Sequence, residues 1–239
     1  VKENGIGKRY LIQHSAGSGK SNSIAWLAHQ LIGLMQDGRP MIDSVIVVTD
    51  RRILDKQIRD TIKQFMQVKS TFQWAQHAGD LKKAIQDGKR IIVTTVEKFP
   101  YISQEIGQEH SGNHFAIIID EAHSGQNGRN SANMNLALSG MASDNEMDNE
   151  DKINAIVEGR KLVKTASYFA FTATPKNKTE EVFGTPYEED GVIKHRPFHV
   201  YTMKQAIQEG FILDVLKNYT TIDSWYKIAK TVEDDPMFD

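Results

Sequence analysis

The 239-residue chain contains no cysteine. That absence excludes a disulfide framework and a thiolate metal site, and a cytoplasmic setting is expected. No apolar run approaches the roughly 18–20 residues that a membrane-spanning helix needs, so no membrane partner is expected. The first residues, Val1–Gly5, lack the layout of a signal peptide. They also lack a starting methionine, which suggests a piece of something longer. An excess of either charge is lacking: 29 Lys and Arg stand against 31 Asp and Glu, a formal net of -2. Such a balance neither points to nucleic acid nor excludes it, because a basic strip can sit on a near-neutral protein. Internal repeats and low-complexity tracts are missing as well. The length suffices for one large α/β domain, or one domain and the start of another.

What is present centres on residues 14–21, reading HSAGSGKS. Apolar Tyr10, Leu11 and Ile12 lead in. A helix-patterned segment follows, with Ile24, Leu27, Ala28, Leu31 and Ile32 on one face. Strand, glycine-rich loop, Lys-Ser and helix is the context of a phosphate-binding P-loop. Gly17 and Gly19 let the backbone bend so that successive N–H groups around Ser18 point into one concavity. The helix presents its positive N-terminus there. Lys20 adds a cation for the β- and γ-phosphates, and the Ser21 hydroxyl is a ligand for Mg²⁺. The full pattern asks for glycine where this chain has His14.

Further along, Val45–Val48 reads as a strand buried on both faces of a parallel sheet. Asp50, Arg51 and Arg52 follow, then a helical pattern through Phe65. Taken alone, Asp50 reads equally as an N-cap and the two arginines as a solvated first turn. Thr71–Trp74 suggests a short strand, and Leu81, Ala84 and Ile85 a short helix ended by Asp87-Gly88. Ile91–Thr95 is the next buried strand. Its Thr94 and Thr95 stand at the carboxyl end, the edge where open α/β sheets bind ligands; they read as well as threonines of good β-propensity. Phe115–Ile119 is a fourth buried strand, ending in Asp120-Glu121-Ala122-His123. Adjacent carboxylates there are costly unless something uses them. With a P-loop in the chain, Asp120 is expected to hold Mg²⁺ through water and Glu121 to orient or deprotonate the attacking water. The acidic run Asp144–Asp151 reads as a solvated loop. Tyr168–Phe171 forms a fifth strand, ending Thr172-Ala173-Thr174-Pro175. Residues Glu188–Arg196 look charged and looplike, Met203–Glu209 helical, Val215–Ile222 like a last strand, and Trp225–Val232 helical.

The ordered set GSGKS, TDR, TT, DEAH and TATP resembles the N-terminal RecA-like lobe of superfamily 2 helicases and translocases. Within that group, RYLIQHSAGSGKS, VIVVTDRRILDKQI, IIVTTVEKFP, FAIIIDEAHSGQ, YFAFTATPKNKTEEVFG and AIQEGFILDVLKNYTT are similar to the motor (R) subunit of type I restriction endonucleases. The resemblance implies a RecA-like P-loop fold, a mostly parallel sheet with helices on both faces. Residues 1–200 would form the first motor lobe, and 201–239 an extension closing it and leading to a second lobe. It implies ATP and Mg²⁺ as cofactors, with Lys20, Asp120 and Glu121 as catalytic residues. His123, Thr172 and Thr174 would couple nucleotide state to lobe movement. Arg51, Thr94 and Thr95 would touch the phosphate backbone of duplex DNA, a contact blind to sequence. It also implies that the strand of Phe169 lies between those of Ile12 and Ile118. The partners implied are double-stranded DNA, a second motor lobe in the same full-length chain, and the methyltransferase and specificity subunits of a restriction complex.

The arginine finger of a second lobe, an adenine-recognising segment and a nuclease domain have no counterpart among these residues. The isolated chain is therefore expected to bind ATP weakly, hydrolyse it barely and cleave no DNA. Two other readings stay open from sequence: the motor lobe of another DNA or RNA helicase, and a nucleotide-sensing interaction module without turnover.

Overall fold

The computed structural model describes residues 1–49, 61–62, 72–98, 112–120, 165–214 and 217. In chain order these form β1 (Arg9–His14), α1 (Lys20–Ile32), β2 (Met35–Gln36), β3 (Arg39–Pro40), β4 (Ser44–Thr49), β5 (Phe72–Trp74) and α2 (Ala78–Gln86). Next come β6 (Ile91–Thr95), β7 (Phe115–Ile119), β8 (Ala166–Thr172), α3 (Asn177–Phe183), β9 (Thr185–Glu189), β10 (Val192–Arg196), β11 (His199–Tyr201) and α4 (Met203–Gln208). Of the proposed helix after Asp50 only residues 61–62, which are helical, are described, and of the element read over 215–222 only residue 217; the acidic run 144–151 and the element read over 225–232 lie outside the described residues.

Seven strands make one sheet in the order β11-β1-β8-β7-β4-β6-β5. Every pairing in it is parallel. The strand of Phe169 does lie between those of Ile12 and Ile118, with Ile12 opposite Phe171 and Ile118 opposite Phe169. β4, β7 and β8 are buried at every residue. Such strands have no solvent face, which is why they read as unbroken apolar runs.

Successive residues of each strand point to opposite faces, and each face has its own core. One side gathers Leu11, Ile46, Ile92, Ile117 and Ala170 with Leu81, Ala84 and Ile85 of α2 and Val182 and Phe183 of α3. The other gathers Tyr10, Val47, Val93, Ile118 and Phe169 with Ile24, Ala25, Ala28 and Leu31 of α1, and Ile62. Helices thus cover both faces of the RecA-like sheet. Tyr10 and Phe169 are cross-strand partners whose rings stack at 5.0 Å between centroids. Among the described residues, no helix is long and apolar enough to cross a membrane.

Two hairpins went unread in the sequence. β9 and β10 pair antiparallel around Asp190-Gly191, so the segment read as looplike, 188–196, is largely strand. The smaller hairpin, β2 with β3, turns at Asp37-Gly38. All four turn residues have φ between 50° and 75°. Two consecutive left-handed residues in a two-residue loop define the turn that an Asp-Gly pair favours, and that pair was the signal available. Charge masked it. Lys194 faces Glu189 across the hairpin at 2.7 Å, so its charges support the strands rather than oppose them. A further strand, β11, edges the main sheet beside β1.

Gly184 joins α3 to β9. Its amide donates to the Glu180 carbonyl at 2.7 Å. A Cβ there would fall on that same carbonyl oxygen and within 3.1 Å of the Arg196 carbonyl, both backbone atoms that cannot swing aside. Gly184→Ala is expected to destabilise the chain by about 1–3 kcal/mol, as overpacking does. Chemical denaturation of the two proteins checks it.

Candidate active site at the carboxyl edge of the sheet

β1 ends at His14, and the loop 15–19 turns the chain into α1. Gly17 and Gly19 take φ of +74° and +85°, a conformation that side chains resist. Gly19 is the N-cap of α1 and offers the first helical N–H groups no side chain; no acidic residue lies in the first turn. The positive end of a thirteen-residue helix is thereby left for an external anion. Among the described residues, a Cβ on Gly19 would meet only the Asn22 amide nitrogen, at 3.9 Å.

Lys20 begins α1. Its Nζ lies 3.5 Å from Asp120 Oδ1, and the two side chains are 10% and 2% exposed. Asp120 follows β7 directly, its backbone N–H donating to the Val48 carbonyl at 2.8 Å. The pair joins the loop after β1 to the end of a strand two places away. Burial pushes the Lys20 pKa below its ordinary 10.5, and the Asp120 carboxylate opposes that shift.

His14 is buried within the same loop. Its Nδ1 is 2.6 Å from Ser18 Oγ and its Nε2 3.1 Å from Ser23 Oγ. The Ser18 hydroxyl also donates to the Ser15 carbonyl. Burial holds the His14 pKa below 6.5; a hydrogen bond with the Ser15 backbone works the other way, and the charges of Lys20 and His199 deepen the depression. On the outer side the Ser15 N–H donates to the Tyr201 carbonyl at 3.1 Å, fastening the loop to β11. The Ile212 side chain reaches Gly17, with its carbons 3.8–3.9 Å from where a Cβ would stand. Neither the bracing role of His14 nor the approach of Ile212 was read from the sequence. Local spacing carries no sign of either, because both depend on how β1, β11 and α1 are brought together.

The remaining expected residues are spread along the same edge. Thr172 closes β8, fully buried and opposite Gln13; Thr174 is exposed. Gln13 Nε2 donates to the Ala173 carbonyl at 3.4 Å, which ties the TATP segment to β1. Thr94 and Thr95 close β6, on the far side of β4. Thr94 is fully buried and its hydroxyl donates inward to the Ala75 carbonyl at 3.3 Å, whereas Thr95 Oγ1 accepts from Lys98 Nζ at 2.8 Å. The geometry therefore brings Lys20 and Asp120 together beside the glycine loop, with Ser21 next to Lys20 in the first turn of α1, and leaves Thr94 and Thr95 two strands from Asp120. Glu121, His123 and Arg51 lie outside the described residues.

This donor set suits a magnesium-bound polyphosphate. A left-handed loop, a bare helix N-terminus and a lysine attract phosphate oxygens. Among the described residues, Ser15 Oγ is buried with no hydrogen-bond partner, a hydroxyl that a phosphate oxygen would satisfy. Among the described residues no group of three or more His, Cys, Asp or Glu is built to hold a metal. Ser21 and Asp120 fit Mg²⁺ instead, since that ion keeps several waters and takes phosphate oxygens beside one or two protein ligands.

Over residues 2–236 the chain matches the SWI2/SNF2 ATPase family. It is 26% identical over 246 residues to the Type I restriction enzyme SauMSSORF170P endonuclease subunit of Staphylococcus aureus (strain MSSA476), an alignment covering 97% of this chain and 21% of that protein. It is 24% identical over 225 residues to the Type I restriction enzyme HindI endonuclease subunit of Haemophilus influenzae, covering 90% and 19%. The chain thus spans about a fifth of the length of these curated relatives. Among solved structures it is similar to a nuclease-deletion mutant of the Type ISP restriction-modification enzyme LlaGI in complex with a DNA substrate mimic. That match has a TM-score of 0.53 at 15% identity and covers 98% of this chain and 21% of the other. At such identity the likeness is one of fold alone.

Two outcomes are expected of the site itself. Lys20→Met and Asp120→Asn should each destabilise the nucleotide-free chain by on the order of 3 kcal/mol, because each removes one half of a buried ion pair. The double variant should lose clearly less than the sum, as read by denaturant titration. Below pH 6.5 the unfolded chain takes up a proton at position 14 that folded His14 resists. Unfolded chains then bind more protons, so this contribution to stability falls as pH drops from 6.5 toward the lower folded pKa. His14→Gln should flatten that part of the stability–pH curve relative to the parent.

Proposed function

We propose a function on this premise: the chain belongs to the SWI2/SNF2 ATPase family. It is the ATP-binding lobe of a double-stranded DNA translocase within a type I restriction–modification complex, acting in the cytoplasm. The observation that carries this reading is the 3.5 Å approach of Lys20 to Asp120 beside a glycine loop in the left-handed conformation. The similarity to restriction endonuclease subunits over nearly the whole chain supports that setting over a general helicase or a nucleotide sensor without turnover.

In this reading Gly17, Ser18, Gly19, Lys20 and Ser21 bind the phosphates. Ser21 and Asp120 hold Mg²⁺, and Glu121 orients the attacking water. Bound Mg²⁺ would supply charge neutralisation at the phosphate oxygens. Asp120 is fixed for its task by the backbone bond to Val48, and Lys20 by the first turn of α1. A buried ammonium in a site of low dielectric acts on a phosphate more strongly than one in water. Thr172 and Thr174, with His123, relay nucleotide state. Thr172 sits on β8, between the strand that leads to Lys20 and the strand that ends at Asp120, which suits that task. Arg51, Thr94 and Thr95 serve the DNA backbone, with Lys98 beside Thr95 as a further cation and buried Thr94 shaping the edge from within. Residues 1–200 form the first lobe and 201–239 extend it toward a second. The reach of Ile212 back to Gly17 supports an extension that closes on the nucleotide loop. The methyltransferase and specificity subunits complete the complex.

The test uses the full-length protein assembled with its partner subunits. Lys20→Ala is expected to lower DNA-dependent ATP hydrolysis by at least 100-fold, since a lost transition-state contact of this kind costs a few kcal/mol. Hydrolysis that survives the substitution would end the motor reading. Extensive strand displacement by the parent protein would favour a helicase over a duplex translocase.

A further inference from the structure

Position 14 holds a histidine where the phosphate-loop pattern has glycine, and its hydrogen bonds determine one another. Ser18 Oγ has a single proton and lies within reach of both the Ser15 carbonyl and His14 Nδ1. A carbonyl only accepts, so that proton goes to Ser15. Nδ1 must then carry a hydrogen and donate it to Ser18 Oγ across 2.6 Å. Nε2 is left as an acceptor for the Ser23 hydroxyl at 3.1 Å. With the opposite tautomer, the one hydroxyl proton could serve only one of Ser18 Oγ's two short contacts, and the other would have no proton in it. The ring is 7% exposed and packs against Tyr201 at 5.0 Å, so it has little freedom to turn away.

One side chain therefore ties the end of β1, the middle of the loop and the first turn of α1. We propose that His14, as the Nδ1–H tautomer, is a positioning residue that holds the loop in its phosphate-accepting shape before nucleotide arrives. It acts through Ser18 and Ser23 and touches no phosphate itself. Glycine in its place would leave that loop to be ordered at the moment of binding, with the entropy loss charged against affinity. The inference rests on the nucleotide-binding reading above.

The experiment measures ATP affinity and steady-state hydrolysis in the full-length protein with saturating DNA. His14→Phe keeps the ring and its contacts with Tyr201 but has no nitrogen to donate or accept. It is expected to raise Kd and KM for ATP about tenfold, the size of one or two lost hydrogen bonds, with kcat changed far less. His14→Asn, whose amide can stand where Nδ1 stands, should regain most of that loss. Ser23→Ala should weaken binding a few-fold in the parent and not at all in the His14→Phe background. A His14→Phe protein that binds ATP like the parent would overturn the proposal, because the ring would then be only a space-filler. Equal cost of Ser23→Ala in both backgrounds would overturn it too. Should His14→Phe fail to fold, Ser23→Ala in the parent still decides, unchanged affinity counting against the proposal. Lys20→Ala is the reference: if ATP affinity survives there, the nucleotide reading itself fails, which is a distinct result.

Discussion

The approach of Lys20 to Asp120 is the constraint on which the rest of the structure depends. The two residues are brought together only if β1, β8 and β7 lie side by side in that order and run the same way. A one-residue slip in either pairing would turn Asp120 to the other face of the sheet. The pair is also an energetic statement. Removing an ammonium and a carboxylate from water costs several kcal/mol each, and their mutual attraction does little more than offset it. A chain under pressure for stability alone would fill this spot with apolar side chains. Two charges are kept here, and the depressed pKa of Lys20 records what keeping them costs.

Around that pair the sheet behaves as a frame with one working edge. Both of its faces are occupied by helices, so neither is open to a ligand. The carboxyl ends are where open parallel sheets take their ligands, and there β1, β8, β7, β4 and β6 end side by side. The outermost strand, β11, reinforces the row from outside through Tyr201, whose carbonyl takes the Ser15 N–H. The phosphate loop is consequently gripped from both sides, by α1 within and by β11 and Ile212 without.

How much of this was legible in the sequence depended on whether a residue's role is set locally. The buried strands announced themselves because Val45–Val48 or Phe115–Ile119 have no polar alternation to hide them. Lys20 was legible because it opens a helix straight after a strand and a glycine loop, and Asp120 because it closes an unbroken apolar strand. Helix α1 was legible through its period: Ile24, Ala28 and Leu31 are buried as expected, and Leu27 and Ile32 partly so. The hairpin Thr185–Arg196 was hidden because its charged residues pair across strands, an arrangement invisible until the partner is known. β11 is three residues long and has no pattern of its own. Thr94 illustrates a subtler gap. Its position at the edge was readable, but the inward turn of its hydroxyl toward Ala75 depends on a neighbour nineteen residues earlier.

The uniform direction of the main sheet has a practical corollary for observing this protein at work. After α1 the chain emerges at the amino edge, opposite the phosphate loop, and there makes its turn at Asp37-Gly38 before entering β4. The chain has no thiol of its own. Within these 239 residues, a cysteine placed at half-exposed Met35 would therefore give a fluorophore or spin label one attachment point. Such a probe would ride on the rigid lobe without crowding its chemistry, giving a fixed reference point from which movements of neighbouring parts can be measured.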